Sequence, residues 1–588
     1  MFSFFPVTKG GRQAPAPAPE QVDEEEDEEE EEEEAVPGTS ATPPVPRVWK
    51  AEDISVTPLP EYEHRGVSVI ESPFSYFVRC FDMELVEHIV YQTNLYARQT
   101  NLRTPFKTDN QEMLVFIGIL LYMGIVHLPA IEDYWALETR VPQVADYMSS
   151  KRFRLMRARL HFNDNTQAVG TQDRYFKVRP LINSITKNFL AIPETPQQSI
   201  DEVIVAYKGK RAGNLRQYMK DKPDKWGYKF FCRASIDGII HDILMYQGQT
   251  TFVAHPVQLQ EEEQTMNNTS KFILVLVNTM KQQHKKAVYA DNYFTSLTLV
   301  EHLKKNYNCR YVGTARENRT GKPELMSTVE MNKPKTKRGT MDYKSCDGVL
   351  ALKWKDNKVV NMLSTDAGIE PVTTVKRYDK EARAKVDVEC PDVIKQYNGR
   401  MGGIDKSDML THLYKTPFRS RRWPQKIFGY VLDVCVANAW LVYKRDMKHL
   451  GEKPMSLKNF RLKIACFCRS NKSARVPLHT RQSAPHQQSP SGPSPSGSSP
   501  SGSSDNDITG SVVALPLRGQ RSKVVPQAVR EDRTISHVPV FTPMRQTCKR
   551  CSTAKEIHRS KWMCNVCNVA LCLSDTRNCF AAHHSVNL

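Results

Sequence analysis

The sequence contains three aspartates, Asp201, Asp291 and Asp405, whose carboxylates could together bind the metal ions of a phosphoryl-transfer site. Asp201 lies in a segment rich in β-branched residues, and Asp291 ends the short apolar run KAVYAD. Asp405 follows a Gly-Gly pair, with Asp408 three residues further on. Phosphoryl transfer between phosphodiesters uses two divalent ions about 4 Å apart. Mg²⁺ prefers oxygen ligands and keeps much of its water, so a few carboxylates suffice to hold both ions.

Each aspartate taken alone also fits an ordinary structural role. Asp201 neighbours Glu202, and only one of the two can point to a given face of a strand. Asp405 and Asp408 share one face of a helix if the helix has begun, and one of them could instead be its N-cap. The hypothesis therefore depends on a fold that brings separate segments together.

The segments around the aspartates follow the order of an RNase H-like fold. Ser199–Lys210 predicts a strand, and Asp237-Gly238 between two strand-like runs predicts a hairpin. A helix, a strand ending at Asp291, a second helix and the strand NCRYVGTAR follow. This order places Asp201 on the first strand and Asp291 at the end of the fourth.

Residues 320–395 interrupt that order with further strand-like runs, which predicts a β-rich insertion. The predicted fold class is α/β: an RNase H-like core interrupted by this insertion, flanked by a helical domain, with a small C-terminal zinc-binding domain. The predicted divisions are a disordered acidic arm (1–60), a helical DNA-binding or dimerisation domain (65–195), the first part of the core (196–319), the insertion (320–395), the last part of the core with returning helices (396–474), a flexible Ser/Pro-rich linker (475–540) and a Cys-rich domain (541–588).

The net charge favours a polyanionic partner. The chain carries +17, and without the twelve carboxylates of Asp23–Glu34 the remainder carries +29. Nucleic acid is the commonest partner of so basic a protein, although such charge also aids solubility. We expect the acidic run either to compete with DNA for this basic surface or to be a solvated tail without a target.

No segment predicts export or a membrane span. Met1–Pro6 is too short for the apolar part of a signal peptide. Met113–Val126 falls short of the roughly 18 residues that cross a bilayer, so it predicts a buried core helix and no membrane partner. Of the 14 cysteines, six fall in the last 41 residues, which indicates a reduced compartment with a metal site.

The cysteine-rich tail predicts a zinc module. Two Cys-x2-Cys pairs can each close half of a tetrahedral site. Two zinc ions need eight ligands, and the eighth could be His558, Asp575 or His583. The interleaved order resembles the cross-brace of RING and PHD domains. The seven predicted ligands are Cys548, Cys551, Cys564, Cys567, Cys572, Cys579 and His584.

Six segments resemble the successive motifs of piggyBac-family transposases. They are SIDEVIVAYKGK, DKPDKWGYKF, ADNYFTS, VGTARENR, YNGRMGGIDKSD and RRWPQKIFGYVLDVCVANAW. The resemblance covers about residues 82–450, and the tail matches as well. It implies a DDD-type mechanism with two Mg²⁺ per active site, in which transposon ends are nicked, hairpins form, and DNA is joined at TTAA targets. Asp201, Asp291 and Asp405 would be catalytic, and Asp408 would assist.

The resemblance also gives neighbouring residues roles in binding DNA. Trp423 would stack on an unpaired base near the DNA end, or would be a half-buried packing residue. Arg419, Arg421 and Arg422 would grip phosphates. Lys222, Lys225 and Lys229 are candidate backbone contacts, and the basic helix 150–162 either faces DNA or is a solvated face.

Two functions from different classes remain open. One is an active transposase on double-stranded DNA, and the other is a domesticated descendant that binds DNA or chromatin without cutting it. We expect a nuclear homodimer whose tail binds transposon-end DNA or chromatin. A RING-type ubiquitin ligase suits the tail poorly, because the short Cys-x-His step is missing after Cys567. A zinc-finger adaptor with an inert body would require that the aspartates do not converge.

Overall fold

The protein divides into two compact units, one ending at His479 and one beginning at Thr480. We call the described part of the first unit the body and that of the second the C-terminal module. The computed structural model describes residues 47–100, 106–209, 215–220, 222, 224–253, 259–379, 382–418 and 420–470 of the body, and 537–553, 556–564, 567, 569–574 and 577–584 of the module.

Helices surround the body's central sheet, and many begin at a side-chain cap. Asp82, Asp109 and Ser149 each accept a hydrogen bond from a backbone N–H of the first turn, as helix starts require. The described helices are α1 (Pro73–Val78), α2 (Met83–Gln99), α3 (Asn110–Met123), α4 (Pro142–Ala145), α5 (Ser150–Arg159), α6 (Arg179–Ala191), α7 (Glu261–Gln264), α8 (Asn268–Asn278), α9 (Leu297–Tyr307), α10 (Thr328–Met331), α11 (Asp392–Arg400), α12 (Gly403–Leu413), α13 (Trp423–His449) and α14 (Leu457–Ser470).

Nine strands form the central sheet. Its order is β2-β3-β1-β5-β6-β9-β8-β7, and β4 pairs with β3. Its members are β1 (Gln197–Ala206), β2 (Arg216–Tyr218), β3 (Trp226–Ser235), β4 (Ile240–Met245), β5 (Ala287–Ala290), β6 (Arg310–Thr314), β7 (Met341–Cys346), β8 (Val349–Lys355) and β9 (Val359–Ser364); β10 (Thr373–Asp379) and β11 (Ala384–Cys390) form a separate hairpin.

The predicted order of strands and helices is confirmed from β1 to β6. β1 pairs antiparallel with β3, and β3 pairs antiparallel with β4 through the predicted Asp237-Gly238 turn. Gly238 has φ +104°, which a glycine adopts without strain. After α8, β5 joins β1 in parallel, and after α9, β6 joins β5 in parallel.

The predicted insertion is rich in strands, but part of it extends the central sheet. β9 pairs antiparallel with β6, and β8 and β7 follow it outward. Hydrogen bonds therefore run without a break from the strands of the core into those of the insertion. This continuity is a long-range pairing, which local sequence patterns do not reveal.

The helical part packs on one face of the sheet around two apolar helices. α3, the predicted core helix, is buried and touches α14 so closely that a Cβ on Gly118 would lie 2.8 Å from the Cys468 Cβ. Of the described helices, only α13 is long and apolar enough to cross a membrane, and most of it is buried inside the body. Both helices therefore behave as core elements of this fold.

Residues 47–60, which we predicted to be disordered with the rest of the arm, lie along the body. The Arg47 guanidinium pairs with the Glu301 carboxylate at 2.9 Å. The Asp53 carboxylate accepts backbone N–H bonds from Ile369 and Glu370. The prediction was wrong for these residues because their partners are about 250 to 320 positions away. The acidic run itself lies outside the described residues.

A buried ion-pair network ties the starts of β1 and β5 to β3. Burial would raise the pKa of Glu194, but Arg233, His241 and Lys286 outweigh it and lower that pKa to about 2. The Arg233 guanidinium lies 2.8 Å from the Glu194 carboxylate, and both side chains are almost completely buried.

We expect Glu194→Gln to reduce the free energy of unfolding of the body by about 3 kcal/mol at pH 7, because it leaves buried cations uncompensated. A depressed folded-state pKa contributes stability that is present above the unfolded value of 4.5 and is lost as pH falls toward 2. Urea unfolding at pH 7 and pH 3 should therefore show the difference shrinking in acid. Glu324→Gln, at an exposed ion pair, should change the stability little at either pH.

Candidate active site and metal-binding clusters

Asp201, in the middle of β1, and Asp291, directly after β5, lie side by side where the parallel pairing of the two strands ends. The last residues paired between β1 and β5 are Ile200 and Ala290, so the two aspartates occupy the next register position. Neighbouring strands are separated by about 4.8 Å. The Asp291 carboxylate accepts a hydrogen bond from the Tyr293 backbone at 3.0 Å, which fixes its orientation.

Asp405 and Asp408 reach the same region because α12 begins against β1. A Cβ on Gly403 would lie 2.3 Å from the Ser199 Oγ, so only glycine permits this approach. The Lys406 ammonium donates to the Ile236 carbonyl at 2.7 Å, which ties the same turn of α12 to the β3–β4 hairpin. Asp405 lies in the first turn of the helix, and Asp408 lies on the next.

The electrostatics of these carboxylates show that they share one environment. Burial and then the Glu202 carboxylate raise the pKa of Asp201 to about 7, and Asp291 adds to the effect. Burial and Glu202 also raise the pKa of Asp291. Burial raises the pKa of Asp408 to about 6, with Asp405 contributing. The region is therefore rich in partly buried negative charge, which a cation would relieve.

Two of the three predicted backbone-contact lysines lie at the carboxylates themselves. The Lys222 ammonium is 3.7 Å from the Glu202 carboxylate and 3.3 Å from its carbonyl oxygen. Burial lowers the pKa of Lys222, but Asp201 and then Glu202 outweigh it, and the net effect raises that pKa. Lys229 is 8% exposed and its ammonium lies 4.5 Å from the Tyr293 ring centroid, so it faces the site rather than open solvent. Lys225 is exposed.

The predicted Arg/Trp cluster at the start of α13 is partly engaged within the body. Trp423 is half-buried and packs against the core of the body, with its ring centroid 5.6 Å from that of Tyr228. This arrangement agrees with the half-buried packing residue that we named as one alternative. The Arg422 guanidinium donates to the Ala158 carbonyl at 2.5 Å. Arg421 is exposed, and Arg419 lies outside the described residues.

The donor chemistry at the carboxylates fits divalent cations that prefer oxygen. Asp201, Asp291 and Asp405 would hold the ions, with Asp408 behind them on α12. Within the described part of the chain, no three of these carboxylates bring oxygens within 4.8 Å of one another.

The C-terminal module brings eight sulfur and nitrogen ligands into two clusters. It contains strands β12 (Pro539–Thr547), β13 (Arg559–Cys564), β14 (Leu573–Ser574) and β15 (Arg577–Asn578), and helix α15 (Cys579–His584). One cluster is Cys548, Cys551, Cys572 and Cys579, and the other is His537, Cys564, Cys567 and His584.

The ligand atoms of each cluster all lie within 4.8 Å of one another. The Cys551 and Cys572 sulfurs are 3.6 Å apart, close to the spacing of about 3.8 Å that tetrahedral Zn–S bonds of 2.3 Å require. The clusters interleave along the chain in the manner of a cross-brace: three alternating cysteine pairs are flanked by His537 on one side and His584 on the other. Both clusters are compatible with zinc.

The eighth position is taken by His537, which none of our candidates anticipated. Its Nδ1 lies 3.3 Å from the Cys564 sulfur. His558 pairs with Glu556 and His583 is absent from both clusters, while Asp575 lies outside the described residues. His537 precedes the first cysteine and falls in the predicted linker, so the ligand pattern that begins at Cys548 does not include it. The strand-like run VPVF directly after this histidine indicates that the module begins before Cys548, but no local pattern marks His537 itself as a ligand.

We expect His537→Ala to leave one metal ion firmly bound and to weaken the second about 10- to 100-fold, because three ligands remain in that cluster. Competition with a chromophoric zinc chelator measures both affinities. His558→Ala is the matched control and should leave both unchanged. Equal loss of affinity in the two variants would contradict the assignment.

Comparisons with known proteins agree with this architecture. A family model for Transposase IS4 matches residues 72–440. The human PiggyBac transposable element-derived proteins 3 and 2 are each 29% identical over 71% of this chain, covering 69% and 67% of their own lengths. The cryo-EM structure of a piggyBac transposase synaptic complex with hairpin DNA matches with a TM-score of 0.58 at 20% identity, over 70% of this chain and 84% of that one.

The body is thus a mixed α/β fold that matches piggyBac transposase, followed by a Cys/His module compatible with zinc binding. The family match extends over most of the body, and the relatives and the fold agree with it. The chain belongs to the Transposase IS4 family and is of the piggyBac type.

Proposed function

We propose that this chain is a DDD transposase that cleaves and joins double-stranded DNA at TTAA sites. Its catalytic core would be RNase H-like and interrupted by the β-rich insertion. The observation that carries the proposal is the adjacent register of Asp201 and Asp291 on parallel strands, with Asp405 brought beside them by Gly403. Buried carboxylates near one another raise each other's pKa at a cost in stability, so a role in binding cations supports their placement better than a structural role does.

In this proposal Asp201, Asp291 and Asp405 would hold two Mg²⁺ ions. When bound, Mg²⁺ activates the attacking oxygen and neutralises the leaving oxygen. Lys222 and Lys229 stand beside the carboxylates and limit their repulsion before substrate arrives. Arg421, which is exposed just before α13, would contact the DNA backbone.

The net charge and the family membership support the remaining parts of the proposal, which concern DNA binding, dimerisation and the C-terminal module. The basic body would bind duplex DNA as a homodimer in the nucleus. The C-terminal module would hold two zinc ions and contact transposon ends or chromatin. The module is too short for an apolar core alone to stabilise it. Bound metal would therefore supply much of the stability of the module.

A second function deserves a test because the human relatives are named as transposable element-derived proteins. Such a descendant would bind DNA or chromatin without cutting it. The deciding experiment first identifies inverted repeats bounded by TTAA around the gene, and then incubates the purified chain with Mg²⁺ and a plasmid carrying them. Nicking and hairpin formation are expected. Tight binding without cleavage, in Mg²⁺ and in Mn²⁺, would favour the binding protein.

A further inference from the structure

Residues 52–67 cross the surface of the body as a segment that forms no helix or strand. The segment is attached near both ends, because Asp53 accepts hydrogen bonds from the loop before β10 and the His64 Nε2 lies 2.9 Å from the Asp446 carboxylate. Thr57 lies between these attachments, is exposed and precedes a proline. The residue before a proline favours extended backbone. Thr57 is therefore displayed in an extended surface segment.

The guanidinium of Arg310, the first residue of β6, binds Thr57 directly. It donates to the Thr57 carbonyl at 2.5 Å and to the Thr57 Oγ1 at 3.1 Å. The Asp366 carboxylate lies 3.1 Å from the same guanidinium, and its side chain is only 4% exposed. Arg310 is therefore held from the interior while it presents donors to the Thr57 hydroxyl, which is the geometry that phosphate recognition by arginine uses.

The charges behind Arg310 favour an added anion. Arg400 lies on the far side of Asp366, with 3.5 Å between its guanidinium and the carboxylate. The Tyr289 hydroxyl donates to Asp366 at 2.7 Å and accepts from Arg400 at 2.6 Å. Two guanidinium groups thus face a single carboxylate, which leaves the cluster positive. A phosphate on Thr57 would bring negative charge to this cluster.

The described part of the body has four Ser/Thr-Pro steps, and Thr57 differs from the other three. Ser72 is the N-cap of α1 and accepts a hydrogen bond from the first turn of that helix. Thr195 is half-buried and donates to a neighbouring carbonyl at 2.8 Å. Thr416 is buried, and its hydroxyl donates to Asp433 at 2.6 Å. Only Thr57 among these four combines exposure with an arginine at its hydroxyl.

We propose that Thr57 is the phosphorylation site of a proline-directed serine/threonine kinase, and that Arg310 binds the resulting phosphate. The kinase transfers the γ-phosphoryl group of ATP. The bond between the γ-phosphorus and the Thr57 Oγ1 forms, the bond to the β,γ-bridging oxygen breaks, and the hydroxyl proton passes to the catalytic aspartate of the kinase.

The segment can enter a kinase because residues 52–67 form no helix or strand, so their local detachment costs little. On return, the phosphate makes charge-assisted hydrogen bonds to Arg310 and fastens the segment to the body. This modification goes beyond the proposed function and does not depend on DNA cleavage.

The first test locates the phosphate. The full chain is incubated with ATP and a proline-directed kinase, and mass spectrometry of the digested product identifies the modified residues. Thr57 should carry phosphate. The Ser-Pro steps at Ser489, Ser494 and Ser499 show that the kinase is active. A chain that is phosphorylated at these serines but remains unmodified at Thr57 would overturn the inference.

The second test measures how firmly the segment is held. Trypsin cleavage of the folded chain after Arg65, which is exposed, should slow about 5- to 10-fold on phosphorylation. Thr57→Ala, treated with the same kinase, should gain no protection. Arg310→Gln should be phosphorylated and also gain none, whereas Lys376→Gln, at an exposed ion pair, is the matched control and should gain the full effect. Equal cleavage rates of the wild type with and without phosphate would overturn the inference.

Phosphorus NMR keeps the role of Arg310 testable if Arg310→Gln fails to fold. The signal of the Thr57 phosphate is the one that Thr57→Ala lacks. A phosphothreonine has a second pKa of about 6, and pairing with a guanidinium favours the doubly charged form. The phosphate should therefore titrate at least about 0.5 pH unit lower in the folded chain than in urea. Equal titration in the two states would reject Arg310 as the phosphate ligand.

Discussion

Asp201→Asn and Asp291→Asn should each reduce strand cleavage by at least about 10³-fold while leaving DNA affinity within about twofold. Asparagine keeps the shape of the side chain but removes the charge that holds a divalent cation. The two residues share one register position on β1 and β5, so losing either should disrupt the same site. Gel assays of nicking and hairpin formation measure cleavage, and anisotropy measures binding.

The matched control is Asp387→Asn, at an exposed ion pair with Lys376 on the β10–β11 hairpin. It should retain full cleavage. Retained cleavage in both Asp201→Asn and Asp291→Asn would show that the carboxylates are not the active site. Loss of DNA binding in the same variants would instead indicate a folding defect, which circular dichroism would detect.

Chelation should unfold the C-terminal module and leave the body folded. Structural zinc sites contribute about 10–16 kcal/mol of binding free energy, far more than the small apolar core of this module can replace. Limited proteolysis after treatment with a strong chelator should cut within residues 537–584, while the body stays resistant. Elemental analysis of the untreated chain should find two zinc ions.

Readdition of zinc should restore protection, and readdition of Mg²⁺ should not, because thiolate and imidazole ligands select the softer ion. One zinc ion per chain would refute the two-cluster reading. Cleavage of the body on the same timescale would show that the two units do not fold independently.

Local patterns predicted the features that depend on neighbouring residues. The strand around Asp201, the Asp237-Gly238 turn and the buried helix α3 follow from periodicity and turn chemistry, and each is present. The side-by-side placement of Asp201 and Asp291 follows once β1 and β5 are parallel neighbours.

Features built from distant residues were missed. His537 joins a cluster whose next ligand is Cys564, across a whole hairpin. Asp53 caps a turn more than 300 residues away. In the sequence Lys229 resembles any other surface cation, yet its ammonium lies 5.0 Å from the Phe231 ring centroid and 4.5 Å from that of Tyr293. No local signal carries such information, because only the tertiary fold decides which residues meet.

The pairing of β9 with β6 limits how this protein can be shortened. A module inserted through two flexible joints can be trimmed, but here the inserted strands close the side of the sheet next to β6. Deleting residues 341–364 would leave one edge of β6 unpaired and would remove apolar neighbours of the buried residues Tyr311 and Val312. A minimal core for expression should therefore keep β7, β8 and β9 as well as α12 and α13, and any trimming of the insertion should stay within the β10–β11 hairpin, which forms its own two-stranded sheet.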